Sequence, residues 1–164
     1  MTDFRPMRRK RQLLSEEESI HVLHQSTSGV FSVLGDDGYP YGVPISYVYH
    51  EGKLFFHSAL QGHKVDAVRN CDKATFTVIS MDDVKPEKFT TYFRSVICFG
   101  RVHIITDEAE KMAALRLLAE RYNPGDETGL QHEISKEFDR MLMIQFDIEQ
   151  MTGKEAIELV RNKK

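Results

Sequence analysis

Apolar residues recur at helical spacing near the start of the chain and again in its last third. Ser15, followed three residues later by Glu18, forms a capping-box pattern that begins a short amphipathic helix ending near Thr27. Two further helices are separated by the break-prone sequence NPGDETG. The apolar positions that define these two helices are Met112, Leu115, Leu118 and Tyr122, and then Leu130, Ile134 and Phe138.

Between these helices the pattern changes to runs rich in β-branched and aromatic residues, which are typical of strands. Tight turns at residues 35–38 and 51–52 join the first three runs as hairpins, and a short helix, KVDAVRN, follows the third. Consecutive hairpins disfavour a βαβ arrangement, so the sequence predicts a mainly β fold with one six-stranded antiparallel sheet and flanking helices. Closure of the sheet into a small barrel would remove its edges. The six runs are GVFSVL, YPYGVPISYVYH, KLFFHS, ATFTVISM, TYFRSVICFGRVHIIT and RMLMIQFDIEQMTGK.

Composition and length limit the number of domains and the kinds of partner that the chain can have. A chain of 164 residues that is 41% apolar predicts a single domain over residues 1–164. The net charge of −3 argues against nucleic-acid binding, and no apolar run is long enough to span a membrane. Basic residues cluster in an arm formed by residues 1–14. This arm is interpreted as solvated, or as a segment that contacts phosphate or a second subunit.

Neither the cysteines nor the histidines form a pattern typical of a disulfide or a metal site. Cys71 and Cys98 form no CxxC pair, which fits packing residues in a reducing cytoplasm. His21 and His24 are three residues apart on the predicted first helix, but the sequence supplies no third ligand. We therefore expect a cytoplasmic protein without a bound metal.

The stretch FHSALQGHK, residues 56–64, has the character of an anion site. A strand ends at Ser58, Gly62 allows the backbone to approach a ligand closely, and Lys64 adds a positive charge where a helix begins. The free amide groups and the positive dipole end of such a helix favour a phosphate. The alternative is an ordinary strand-to-helix connection with a solvated lysine.

The stretch VPISYVY, residues 43–49, is suited to pack against a flat heteroaromatic ring. Pro44 cannot donate to a sheet ladder, so we expect the pairing of this strand to be broken there. Val43 and Ile45 would offer an apolar surface, and Ser46 and Tyr47 would offer hydroxyl groups. The alternative is an edge strand that tolerates its proline.

The remaining candidates depend on a cofactor for their chemistry. Arg94 and Ser95 are adjacent in a predicted strand, so their side chains face opposite ways and only one can easily face a given site. His57 is a candidate catalytic residue beside the proposed phosphate site. The sequence contains no GxSxG or HExxH motif and no evident carboxylate pair. Any chemistry is therefore expected to be carried by a cofactor.

Four segments of the chain together carry a family resemblance. They are MRRKRQLLSEEE, DDGYPYGVPISYVYHEGKLFFHSALQGHKVDAVR, TTYFRSVICFGR and MTGKEAIEL. In this order, from about residue 7 to residue 160, they closely resemble the Nim-type nitroimidazole-resistance proteins of the flavin-binding family related to pyridoxamine 5'-phosphate oxidase. The resemblance implies an FMN-binding split β-barrel that forms a homodimer, with one FMN in each of two clefts between subunits.

The resemblance also implies roles for particular residues. The FMN phosphate is expected near Ser58 and Lys64, with help from an arginine or Ser95, and the isoalloxazine ring along residues 43–47. FAD is the alternative cofactor, because the sequence does not separate the two flavins. The expected flavin-binding residues are Val43, Pro44, Ile45, Ser46, Tyr47, His57, Ser58, Ala59, Lys64, Arg94 and Ser95.

The function that the resemblance implies is flavin-dependent reduction of small, flat, electron-poor compounds such as nitroaromatics. Nim-type proteins are proposed to reduce a nitro group to an amine. The arginine- and histidine-bearing C-terminal substrate motif of true pyridoxamine phosphate oxidases is replaced by MTGKEAIELV, so activity on pyridoxamine phosphate is not expected. The alternatives are a flavin-binding store or sensor without turnover, and a small-barrel nucleic-acid binder that uses the basic arm.

Overall fold

The computed structural model describes residues 2–163, which form one antiparallel sheet with helices around it. The strands are β1 (Ser28–Leu34), β2 (Pro40–Ser46), β3 (Val48–His50), β4 (Lys53–Ala59), β5 (Lys73–Lys85), β6 (Thr90–Ile104) and β7 (Met141–Glu155). The helices are α1 (Glu16–Gln25), α2 (His63–Asn70), α3 (Glu108–Tyr122), α4 (Glu127–Glu137) and α5 (Ile157–Arg161). The prediction of a mainly β, antiparallel fold is therefore confirmed. None of the helices within residues 2–163 combines the length and the apolar character that crossing a membrane would need.

The sheet has seven strands because the predicted second strand is divided in two at Tyr47. Tyr47 lies between β2 and β3 and belongs to neither ladder. The Tyr122 hydroxyl accepts a hydrogen bond from the Tyr47 N–H at 3.3 Å and donates one to the Tyr47 carbonyl at 2.6 Å. Because one side chain occupies both main-chain groups, pairing stops at this residue. The prediction of six strands is therefore wrong.

The sheet is curled but not closed. Its strand order is β2-β1-β5-β6-β7-β4-β3, so β2 and β3 are its two edges. Only Tyr47 separates these edges along the chain, yet no ladder joins them within residues 2–163. The expected closure into a barrel is therefore wrong.

Gly100 lies at an irregularity in the pairing of β6 and β7. The register between β6 and β7 shifts between Phe99 and Gly100. A Cβ atom at position 100 would lie only 2.1 Å from the carbonyl oxygen of Asp147, so the two strands approach this closely only with glycine there. The irregularity increases the local twist of the sheet.

The core lies on the concave side of the curled sheet and is rich in aromatic rings. Phe31, Phe56, Phe76 and Phe146, from four different strands, are fully buried. The ring centroids of Phe31 and Phe56 are 5.0 Å apart, and those of Phe56 and Phe76 are 5.2 Å apart. Aromatic pairs in this distance range add to the free energy gained from burial alone.

The predicted capping box at the start of α1 is confirmed. The Ser15 hydroxyl accepts a hydrogen bond from the Glu18 N–H at 3.0 Å, and the Glu18 carboxylate accepts one from the Ser15 N–H at 2.9 Å. In the same way, the Asp107 carboxylate accepts a hydrogen bond from the Glu110 N–H at the start of α3. Local sequence signals therefore define where these helices begin.

Candidate functional site

At the end of β4, the predicted anion-site residues lie on opposite faces of the strand. His57 and Ala59 are exposed on the outer side, whereas Ser58 is 5% exposed and faces the interior. The Ser58 hydroxyl donates a hydrogen bond to the Ala59 carbonyl at 3.0 Å. The structure therefore presents His57 and Ala59 outward and places Ser58 behind them.

Lys64 lies in the first turn of α2 and is half-buried. The lysines that pair with carboxylates within residues 2–163 are Lys85 and Lys163, and Lys64 has no such partner there. Burial lowers the pKa of the Lys64 ammonium. Gly62, which precedes the helix, has φ 142°, and no side chain caps the helix start. The start of α2 thus combines uncapped amide groups with a cation that lacks a counter-charge, and a phosphate would satisfy both.

His57 is electrostatically coupled to Lys64. Partial desolvation lowers the pKa of the His57 imidazole, and the positive charge of Lys64 lowers that pKa further. A histidine with a lowered pKa is mainly neutral at pH 7 and can donate one hydrogen bond and accept another. The charge of Lys64, in α2, therefore acts on His57 at the end of β4.

His63 fixes the start of α2 against the turn between β1 and β2. Its Nε2 atom accepts a hydrogen bond from the Asp36 N–H at 3.2 Å. Its ring stacks on Tyr41, with 4.1 Å between the ring centroids. Sequence analysis did not identify this contact, which positions the neighbouring Lys64.

Strand β2 offers an apolar inner side and a polar outer side. Val43 and Ile45 are half-buried against the core, whereas Pro44 and Ser46 are exposed. The ladder with β1 continues through Pro44, which lies opposite Val30. The predicted break at Pro44 is therefore wrong. β2 is an edge strand, and an edge strand accommodates proline because one of its sides has no ladder partner.

Tyr47 belongs to the core. Its side chain is 1% exposed, and its hydroxyl donates a hydrogen bond to the Leu23 carbonyl at 2.6 Å. Burial raises the pKa of the phenol. The expectation that this hydroxyl is available to a ligand is therefore wrong, and Ser46 is the exposed hydroxyl of the pair.

Ser95 lies far from Ser58 along the sheet. On β7, Ser58 is opposite Leu142 and Ser95 is opposite Lys154, twelve residues further on. At about 3.3 Å per residue, roughly 40 Å of strand separates the two positions. Within one chain, Ser58 and Ser95 therefore lie beside opposite ends of β7.

Arg94 is held in an ion pair. Its Nη2 atom lies 3.1 Å from Oε2 of Glu155, whose side chain is 3% exposed. Oε1 of the same carboxylate is 2.6 Å from the Lys163 ammonium. The guanidinium therefore balances a buried charge within this chain and lies beside the C-terminal helix.

A pocket of about 630 Å³ lies between α3, α4 and the adjoining ends of β4 and β7. The predicted site residues Ser46 and His57 line it. Across residues 2–163, no three His, Cys, Asp or Glu side chains are arranged to hold a metal ion. For Leu115, Leu118, Tyr122 and Leu130 the only sequence signal was helical spacing, which indicated core packing rather than a pocket. The residues that sequence analysis did not assign to a site include Leu115, Leu118, Tyr122, Leu130, His132, Glu133 and Met141.

Comparison with known families identifies the chain at family level. Residues 15–155 match the family model described as Pyridoxamine 5'-phosphate oxidase. Because this match covers most of the chain, the protein belongs to that family. No curated protein matches the chain.

Several solved structures share the fold. A proposed 5-nitroimidazole antibiotic resistance protein from Bacteroides thetaiotaomicron is 20% identical, with a TM-score of 0.71 over 87% of this chain and 86% of that chain. The flavocytochrome Anf3 from Azotobacter vinelandii is 21% identical, with a TM-score of 0.79 over 92% of this chain and 72% of that chain. The FAD and heme binding protein from Mycobacterium smegmatis is 22% identical, with a TM-score of 0.76 over 94% and 80%. At these identities the likeness establishes the fold.

Proposed function

We propose that the protein is a flavin-dependent oxidoreductase that reduces small, flat, electron-poor compounds such as nitroaromatics. The observation that carries this proposal is Lys64, a half-buried cation at the uncapped start of α2 without a carboxylate partner among residues 2–163. The phosphate of a flavin nucleotide would supply the missing negative charge. A bound flavin supplies the electron transfer, and the chain's own residues bind it and orient the substrate.

The comparisons support this choice of cofactor and substrate. Two of the structural neighbours are named for a flavin, one as a flavocytochrome and one as an FAD-binding protein. A third is named for resistance to 5-nitroimidazoles. We propose FMN rather than FAD because a single terminal phosphate matches a site built on one lysine and one helix start.

In the proposed complex each part of the site has a distinct task. Lys64 and the amide groups of α2 hold the phosphate, and the edge strand β2 lies along the flavin ring with Val43 and Ile45 behind it. His57, which is mainly neutral at pH 7, offers a hydrogen bond at the junction of the phosphate site and the pocket. We propose that His57 positions or protonates the substrate there.

We also propose a homodimer formed through the outer face of the sheet. Five residues form a row across consecutive strands: Pro44 on β2, Val30 on β1, Thr77 on β5, Ile97 on β6 and Thr152 on β7. The row contains no charged residue, and Val30 and Ile97 are each 37% exposed. A second copy seated on this face would remove the row from water.

The dimer would also complete the flavin site. Ser95 lies roughly 40 Å of strand away from Ser58 within one chain. We propose that Ser95 of the partner subunit reaches the cleft that contains Lys64. The flavin would then lie between subunits, with contacts from both.

Two measurements on the purified protein test the proposal. The absorption spectrum and the identity of the released chromophore show whether a flavin is bound, and we expect FMN. Under anaerobic conditions, a reduced nicotinamide cofactor should bleach the flavin, and added nitroimidazole should restore its colour. A protein that binds neither flavin contradicts the proposal. A reduced flavin that nitroimidazole fails to reoxidise would support storage or sensing instead.

A further inference from the structure

The pocket beneath α3 and α4 has the volume and lining of a small-molecule site. Its volume of about 630 Å³ would hold an aromatic ring with a side chain. Leu115 and Leu118 of α3, Leu130 of α4 and Met141 of β7 give it an apolar wall. His57, whose pKa is lowered in part by Lys64, also lines it. The pocket and the proposed phosphate site therefore meet at His57.

Helix α4 covers the pocket without forming part of the core. None of its residues is buried, although Leu130 and Ile134 lie on one helical face. It is attached to α3 near both ends. Nη1 of Arg116 is 3.2 Å from Oε1 of Glu127, and the Lys111 ammonium donates a hydrogen bond to the Phe138 carbonyl. A helix held in this way leaves its apolar side available to an occupant.

The acidic side chains in the pocket lining outnumber the basic ones. Asp126, Glu133 and Glu137 line it, and no lysine or arginine does so. Asp126 caps α4 by accepting a hydrogen bond from the Gly129 N–H at 2.9 Å. The carboxylates that form salt bridges within residues 2–163 are others, so none of these three has a salt-bridge partner there. The negative potential disfavours an anion in the pocket.

We infer that this pocket binds the aromatic body of the substrate and selects neutral and cationic compounds against anionic ones. The inference rests on the proposed function and names the charge class of its substrates. Leu118, Leu130 and Met141 contact the ring, and Glu133 faces a cationic or hydrogen-bond-donating group. An anionic cofactor phosphate beside Lys64 and a neutral or cationic substrate beside Glu133 are thereby kept in separate places.

Three probes with the same ring and different charges test the inference. They are para-nitrobenzylamine, para-nitrobenzyl alcohol and para-nitrobenzoate, which are cationic, neutral and anionic at pH 7. Calorimetry on the oxidised protein at low salt gives their dissociation constants without turnover. We expect the amine to bind roughly 10-fold more tightly than the benzoate. Equal affinities for the amine and the benzoate would overturn the inference.

Reversing the charge of Glu133 tests whether this residue causes the preference for cationic over anionic probes. Glu133→Lys should weaken binding of the amine by roughly 3- to 10-fold and strengthen binding of the benzoate. Glu16→Lys is the matched control, because it changes the net charge equally at an exposed residue of α1 outside the pocket. Equal effects of the two variants would show that only net charge matters, and would overturn the inference.

A second variant fills the pocket. Leu130→Trp should weaken all three probes, and the flavin content measured before any probe is added reports whether the fold is intact. Unchanged probe affinity in this variant would overturn the inference. So would a Soret band in the purified protein, which would identify heme as an occupant, or a change of assembly mass caused by Leu130→Trp, which would place a second copy there. A protein without flavin that still binds the probes would contradict the proposed function while supporting this inference.

Discussion

Lys64 is a half-buried ammonium that has no carboxylate partner within residues 2–163. If it binds the flavin phosphate, its charge-assisted hydrogen bond contributes about 1.5–3 kcal/mol. Lys64→Met keeps the aliphatic stem and removes the charge, so the affinity for FMN should fall by roughly 10- to 150-fold. Riboflavin, which has the same ring without a phosphate, should bind almost unchanged. Titration of both flavins into the apoprotein, followed by flavin fluorescence at fixed salt, measures the two affinities.

The control for this variant is Lys73→Met, which removes an exposed lysine at the start of β5. It should leave both affinities unchanged. If Lys64→Met binds FMN as tightly as the wild type, Lys64 is a solvated surface residue and the phosphate site lies elsewhere. Equal weakening of FMN and riboflavin would indicate damage to the fold instead.

His57 provides a second prediction for a single residue. Desolvation and the Lys64 charge lower its pKa below its ordinary value of 6.5. Lys64→Met removes the charge that disfavours the imidazolium, so the pKa of His57 should rise in that variant. NMR titration of the flavin-free protein measures both values, and Lys73→Met serves again as the control. A His57 pKa above 6.5 in the wild type, or one that does not move in Lys64→Met, would refute the coupling.

Helix α1 is linked by charge to Lys163, two residues after the end of α5. Glu18 of α1 accepts hydrogen bonds from the Lys163 ammonium at 2.8 Å and from the Ser15 N–H at 2.9 Å. The bond from Lys163, followed by that from Ser15, lowers the pKa of the Glu18 carboxyl from 4.5 to about 2. Lys163 also contacts the buried Glu155, so this link joins α1 to the end of β7.

The lowered pKa of Glu18 predicts a specific acid sensitivity. Because the pKa is lower in the folded than in the unfolded state, the ionised carboxylate stabilises the fold above pH 4.5. That stabilisation is lost as the pH falls through 2. Glu18→Gln should therefore flatten the decrease in the free energy of unfolding between these pH values, as measured by urea denaturation. Glu16→Gln, at an exposed neighbour in the same turn, should keep the wild-type slope. A wild-type slope in Glu18→Gln would argue against the link.

Elements with local signals were predicted well from sequence, and those that depend on distant contacts were not. Ser15 and Glu18 define the start of α1 because their hydrogen bonds join residues three apart. Where β2 separates from β3, the main chain of Tyr47 bonds the hydroxyl of Tyr122, 75 residues away. No local pattern contains that contact, so the sequence predicted one strand where there are two.

The candidate site follows the same division. Lys64 and His57 could be identified because a strand end and a helix start lie within a few residues of each other. Arg94 forms an ion pair with Glu155, which is 61 residues away, so no local sequence signal indicated that its guanidinium already has a partner. The pocket was missed because its wall comes from α3, α4, β4 and β7, and only tertiary packing brings these elements together.

For the whole molecule, the uncharged row across the sheet predicts assembly. We expect a homodimer that buries more than ~2,000 Å² in total, as obligate pairs do. Ile97→Lys places a charge in the middle of the row and should shift the protein to a monomer with reduced FMN affinity. Light scattering combined with flavin absorbance measures mass and occupancy together.

Val84→Lys is the control for this prediction. Val84 is 60% exposed, lies near the end of β5, and is outside both the row and the proposed flavin site. The variant should remain dimeric. A wild-type protein that is monomeric while fully loaded with flavin would refute the proposed interface. A dimer that persists in Ile97→Lys would place the contact on another face.

Tyr122 gives the open sheet a further property. Its ring lines the pocket, and its hydroxyl holds both main-chain groups of Tyr47, the residue between the two sheet edges. We therefore expect occupancy of the pocket to be linked to protection of the Tyr47 amide from hydrogen exchange. A compound that restrains the Tyr122 ring should slow deuterium uptake at Tyr47. Deuterium uptake at Tyr47, the residue between the two sheet edges, would then report whether a ligand occupies the pocket.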